Sequence, residues 1–148
     1  MKTLLVAHDF DETSERALDQ AITLARKLSA KVVVVHVYSV PVYTFPEGSA
    51  LIPSPGDATR ISQAAQRHLD HIVALRGAEG VAIEGLLRSG VPSDEICRLA
   101  DELPADMIVI GTHGRGVLGR TFLGSVAQQV VRSANQPVMT IHVPDAAD

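Results

Sequence analysis

A single cysteine, Cys97, stands among 148 residues. It has no partner for an internal disulfide, so no covalent staple holds this chain. Such usage fits a reducing compartment, and the cytoplasm is the expected location. Long apolar runs are missing too: no window approaches the ~18 uninterrupted apolar residues that a membrane-crossing helix needs. The opening MKTLLVAHDFDE has only a short apolar run cut off by acids, which suits a strand better than a signal peptide. Basic charge is scarce. Thirteen Lys and Arg face 17 Asp and Glu, a net charge of −4, without the basic footprint of a nucleic-acid binder. Lysine does not occur after Lys31, so there is no G-K-[ST] triplet and no P-loop lysine to reach outer phosphates. The first strand is not followed by G-x-G-x-x-G, so the dinucleotide fingerprint is absent. With 46% hydrophobic and 20% charged residues, the chain is neither disordered nor of low complexity. Its length suits one domain over 1–148 that buries its own core.

What is present is an alternation of periods. Leu4-Leu5-Val6-Ala7 is a first apolar run; Asp11, Thr13 or Ser14 can cap the helix that follows. Ala17, Leu18, Ala21, Ile22, Ala25 and Leu28 share one face of that helix. Val32-Val33-Val34-Val35-His36-Val37 carries five stiff β-branched valines and reads as a strand. Residues 38–56, with four prolines and two glycines, read as a long surface loop, the place for connecting chain, a lid or a partner contact. A helical stripe returns from Asp57 to about Arg76 and ends at Gly77 and Gly80. Val81, Ile83, Gly85 and Leu87 alternate like an edge strand. Ser93-Asp94-Glu95 start a helix that Pro104 stops. Met107-Ile108-Val109-Ile110 is a fourth strand, and a helix with Val126, Val130 and Val131 follows, closed by Asn135 in the left-handed conformation. Val138 to Val143 make the last strand. The order β-α-β-α-β-α-β-α-β implies a mostly parallel sheet with helices on both faces. Ligands of such sheets bind beyond the carboxyl ends of the strands, where strand order reverses.

The chemistry gathers after strand four, in GTHGRGVLGRTFLGSVA (residues 111–127). Glycines let a backbone approach a ligand closely. Amides that end at a helix amino terminus attract anions, and here Gly124-Ser125 opens the last helix. Arg115 and Arg120 bring positive charge. After strand one comes Asp9, which would repel phosphate but can accept hydrogen bonds from a ribose hydroxyl or an adenine amino group. Strand two ends at Val37, placed to offer apolar contact and backbone polar groups to a base. Together these outline a nucleoside-phosphate pocket.

At these residues the chain resembles the universal stress proteins, along essentially its whole length. Gly111-x2-Gly114-x9-Gly124-Ser125 is similar to that family's ATP-binding motif. Asp9, the His36-Val37 pair and the Gly90-Val91-Pro92 step match further parts of its pattern. The resemblance implies an open five-stranded parallel sheet in order 3-2-1-4-5, Rossmann-like and of the adenine nucleotide alpha hydrolase kind. It implies ATP as ligand, with Ala7, His8 and Asp9 at the end of strand one and Asp9 on the ribose. Val37 and Ile110 would flank adenine. Gly111, Gly114, Gly124, Ser125 and Val126 would line ribose and phosphates, with His113 and Arg115 at the phosphate end. It also implies a homodimer joined through the last strand. His8 departs from the family, whose residue there is compact; its imidazole could add a hydrogen bond or crowd the base. The acidic run Asp9, Asp11, Glu12 could hold Mg²⁺ through waters.

Blander readings stand beside these. Asp9 could cap the first helix in competition with Asp11. His36 reads as a hydrogen-bonded structural histidine, and His68 with His71 as a solvated or partly buried face rather than a metal chelate. Cys97 reads as a small hydrophobe. The leading function is an ATP-binding regulatory protein of stress response. Thr112, Thr121 and Ser125 offer hydroxyls for a slow ATPase or self-phosphorylating enzyme. A third expectation is a nucleotide-independent dimeric interaction module.

Overall fold

The structure, a computed structural model, describes residues 2–112 and 123–142. Its elements are β1 (Thr3–Ala7), α1 (Glu12–Leu28), β2 (Lys31–Tyr38), β3 (Tyr43–Thr44), β4 (Ala50–Leu51), α2 (Pro55–Arg76), β5 (Ile83–Ser89), α3 (Pro92–Glu102), β6 (Met107–Thr112), α4 (Ser125–Ser133) and β7 (Val138–His142). Five strands form one parallel sheet in the order β5-β2-β1-β6-β7. This is the expected 3-2-1-4-5 arrangement, with the reversal between β1 and β6.

Alternation along the strands feeds two cores. Leu4, Val6, Val32, Val34 and Val109 face Ala17, Leu18, Ala21 and Ile22 of α1 and Leu69 and Ile72 of α2. Leu5, Ala7, Val33, Val35, Ile108 and Ile110 face Ile96 and Leu99 of α3 and Ala127 and Val130 of α4. Both faces of the central strands are therefore apolar, which is why they read as unbroken runs rather than as alternation. β5 lies at the sheet edge, as its more mixed pattern suggests. Gly85 lets α2 press close there: a Cβ would stand 2.9 Å from atoms of Leu69 and Val73.

Four expectations need correction. Residues 38–56 are not wholly loop; β3 and β4 pair antiparallel into a hairpin, Tyr43 opposite Leu51 and Thr44 opposite Ala50. It carries Val42, Tyr43, Phe45, Leu51 and Ile52 exposed. α2 starts at Pro55 rather than Asp57, because the Ser54 side chain accepts from the Asp57 amide and Pro55 takes the first turn. α3 starts at Pro92, with Ser93, Asp94 and Glu95 inside its first turn. Asn135 does not close α4 left-handed. Ala134 turns the chain out in an extended conformation, and the Asn135 side chain donates to the Asp101 carboxylate instead. Among the three cap candidates for α1, Asp11 takes the role: its carboxylate accepts the Ser14 amide at 2.8 Å. Among the described residues, no helix is long and apolar enough to cross a membrane. The last-strand residue Val143 lies outside the described residues.

Candidate functional site

A cleft of about 130 Å³ opens at the carboxyl ends of β1, β2 and β6, on the α3/α4 side of the sheet. Ala7, His8, Asp9, Val37, Ile110, Gly111, Gly124, Ser125 and Val126, all singled out from the sequence, line it together. His113, Gly114 and Arg115 lie outside the described residues, as do Arg120 and Thr121.

The turn after β1 sets its electrostatics. Strand alternation persists through it, so His8 and Phe10 anchor on the α1/α2 side while Asp9 lines the cleft. The Asp9 amide donates to the Ser14 hydroxyl at 2.9 Å. Its exposed carboxylate has no hydrogen-bond partner among the described residues. The cap role is Asp11's. The His8 imidazole neither crowds the cleft nor reaches into it, since the side chain is 0% exposed. Its Nδ1 accepts from the Phe10 amide at 3.0 Å, which leaves the Nε2 hydrogen to face Glu15 at 3.0 Å. Burial holds its pKa below the ordinary histidine value, against the upward pull of Glu15. His36 is structural, as expected: buried, it donates through Nδ1 to the His8 carbonyl at 2.8 Å.

At the β2 end of the cleft, sheet register leaves the Val37 amide and carbonyl without a β1 partner among the described residues. The His8 amide donates to the Val35 carbonyl, and β1 has already ended at Ala7 opposite Val35. Val37 directs its amide and carbonyl to the same side, beyond the last β1 partner, because residues two apart on a parallel strand bond the same neighbour. One donor and one acceptor thus border the cleft, beside the apolar Ile110 and Val35.

At the opposite end α4 begins. Gly124 has φ 85 and ψ 150 and provides no side-chain cap. The first intrahelical bond runs from the Gln128 amide to the Gly124 carbonyl. The amides of Ser125, Val126 and Ala127 therefore have no partner inside the helix and carry its positive dipole end. Gly111 forms the floor, inside β6 rather than after it. A Cβ there would meet the Thr13 methyl at 2.6 Å and its carbonyl oxygen at 2.7 Å.

Thr13, Ser14, Pro92, Ile96 and Leu123 also line the cleft. Pro92 and Ile96 had a signal, an apolar residue one turn beyond the G-x-P step. Thr13 had none, since its place depends on how α1 crosses β6. Among the described residues no group of three or more His, Cys, Asp and Glu side chains is arranged for a metal ion. His68 stacks on Phe10 with centroids 4.0 Å apart. Burial and the nearby Asp101 and Asp94 carboxylates raise the Cys97 pKa, so its thiol stays protonated.

The universal stress protein family model matches residues 1–142. A universal stress protein of Thermus aquaticus is 35% identical over 146 residues, covering 95% of this chain and 98% of its own. A solved universal stress protein of Archaeoglobus fulgidus, in complex with dAMP, is 30% identical with a TM-score of 0.65, covering 95% of this chain and 97% of that one. A further solved universal stress protein, in complex with cAMP, is 29% identical with a TM-score of 0.70, covering 95% of this chain and 96% of that one.

Proposed function

The chain belongs to the universal stress protein family, and from that premise we propose that its cleft binds an adenine nucleotide, ATP in the cell, and that the nucleotide regulates contacts with partners. The observation that carries this reading is convergence. Among the described residues, an Asp9 carboxylate without a hydrogen-bond partner, the unpaired amide and carbonyl of Val37, and the start of α4 at Gly124-Ser125 without a side-chain cap border one cleft. The Val37 pair is complementary to the ring nitrogen and amino group along one edge of adenine, with Ile110 against its face. Guanine presents the reverse pattern on that edge, so adenine is favoured. Asp9 accepts from the ribose hydroxyls. The amides of Ser125 and Val126 and the Ser125 hydroxyl receive phosphate. Gly114, His113 and Arg115 join the phosphate end by sequence position, and Mg²⁺ accompanies the outer phosphates. The adenine nucleotides held by the two solved relatives support the ligand class. Pairing through the β7 edge in a homodimer completes the reading.

Calorimetric titration of nucleotide-free protein with ATP and with AMP, with and without Mg²⁺, tests this. The expected result is saturable binding at one site per chain, lost in Asp9→Ala. Absence of binding by both nucleotides would leave a nucleotide-independent interaction module in its place.

A further inference from the structure

Phe10 follows Asp9 with φ 62, a left-handed conformation that bulky side chains avoid. Something must hold it, and three contacts do. Its amide donates to His8 Nδ1 at 3.0 Å. One face of its ring stacks on His36 at 3.9 Å, with the planes 20° apart. The other stacks on His68 at 4.0 Å and 18°. His36 belongs to β2 and is fixed by the His8 carbonyl at 2.8 Å. His68 comes from α2, is exposed, and lies outside the cleft. The cleft's one free carboxylate among the described residues thus sits beside a strained residue, and an outer helix supplies one leaf of the clamp around it.

We infer that His68 is a positioning residue for the nucleotide: by stacking on Phe10 it holds the Asp9 turn in its ligand-accepting shape. This rests on the nucleotide reading of the cleft. It adds that affinity is set partly from α2, the helix that follows the apolar β3–β4 hairpin. A contact that shifts α2 loosens the turn, and by reciprocity a bound nucleotide steadies His68.

The test is titration of wild type, His68→Ala, His68→Phe and Arg67→Ala with AMP and with ATP, alongside their melting temperatures. Removing the stack in His68→Ala weakens binding about three- to tenfold, the affinity ratio one aromatic contact commands. His68→Phe restores a flat ring, and affinity with it. Arg67→Ala, on the exposed neighbouring position, binds as wild type. NMR shows the His68 ring resonance moving on nucleotide addition although it lies outside the cleft. Wild-type affinity in His68→Ala, or a His68→Phe as weak as His68→Ala, overturns the inference while the nucleotide reading stands. A wild type that binds neither nucleotide overturns that reading first, and this inference with it.

Discussion

The carbonyl oxygen of Thr13 lies 2.7 Å from the point where Gly111 would carry a Cβ. The first turn of α1 rests directly on the backbone of β6, across the seam where strand order reverses. Glycine is required here for closeness rather than for an unusual backbone angle. The contact also closes the floor of the cleft, since both residues line it.

Gly111→Ala should therefore disturb stability and site together. Backbone has to yield, at about 1–3 kcal/mol for an overpacked site, which for a chain of this length lowers Tm by roughly 2–4 °C per kcal/mol. Gly85→Ala makes the instructive contrast. Its Cβ would meet side-chain atoms of Leu69 and Val73 at 2.9 Å, on the α2 face and outside the cleft lining. Denaturation and nucleotide titration of both variants should show two destabilised proteins, with binding weakened only in Gly111→Ala. Equal affinity in the two would detach Gly111 from the site.

Gly124 supplies a different requirement. With φ 85 and ψ 150 it occupies a region essentially reserved for glycine, where a side chain costs on the order of 1–3 kcal/mol. Gly124→Ala either keeps the turn and loses that stability, or relaxes it and turns the first α4 amides off the cleft. The second route costs affinity, about tenfold per 1.4 kcal/mol. Measured together, melting and nucleotide binding should show a loss in at least one. A variant with neither would mean that the turn tolerates a side chain and contributes nothing specific.

What was legible in the sequence follows from the range of the interactions. Valines at 32–35 and the α1 stripe from Ala17 to Ala25 declare strand and helix by local period alone. That Asp9, Val37 and Gly124-Ser125 meet at one cleft was legible because a parallel sheet puts every strand's carboxyl end on one edge. The hairpin within 38–56 was not, because two-residue strands among four prolines carry no periodic signal. Phe10 was hidden for another reason: its left-handed φ is imposed by His8, His36 and His68, which are scattered from position 8 to 68. Asn135 misled because a helix-end preference gave way to a side-chain contact with Asp101, 34 residues earlier.

Arg76 is another long-range tie. Its side chain, 13% exposed, donates to Glu79 at 2.6 Å, to Glu15 at 2.9 Å, and to Asp19. Burial works against its charge, but the bonds to Glu79 and Asp19 outweigh it and raise the pKa. Arg76→Met keeps much of the apolar stem and leaves three carboxylates facing one another. A cost of about 1–2 kcal/mol is expected, modest because the acids remain partly solvated. The gap from wild type should narrow as salt rises. A gap that ignores ionic strength would assign the loss to packing instead.

The same network leads to His8 and to a pH dependence. Burial lowers the His8 pKa most, Glu15 and Asp11 pull it up, and His36 pushes it down; the net shift is downward. Geometry agrees, because Nδ1 accepts the Phe10 amide and cannot take a proton while doing so. Unfolded, the same side chain titrates near ~6.5. Below that pH the unfolded chain binds a proton that the folded one refuses, so His8 subtracts stability as pH falls. Its full contribution is present above about pH 6.5 and declines toward its lower folded pKa. Because Phe10 and Asp9 share the turn, nucleotide affinity should decline with it on acidification. Urea unfolding across pH 5–8 should therefore show a slope in wild type that is reduced in His8→Gln, which cannot titrate. An NMR titration that protonated His8 at or above the ordinary histidine pKa would reverse the sign and remove the explanation.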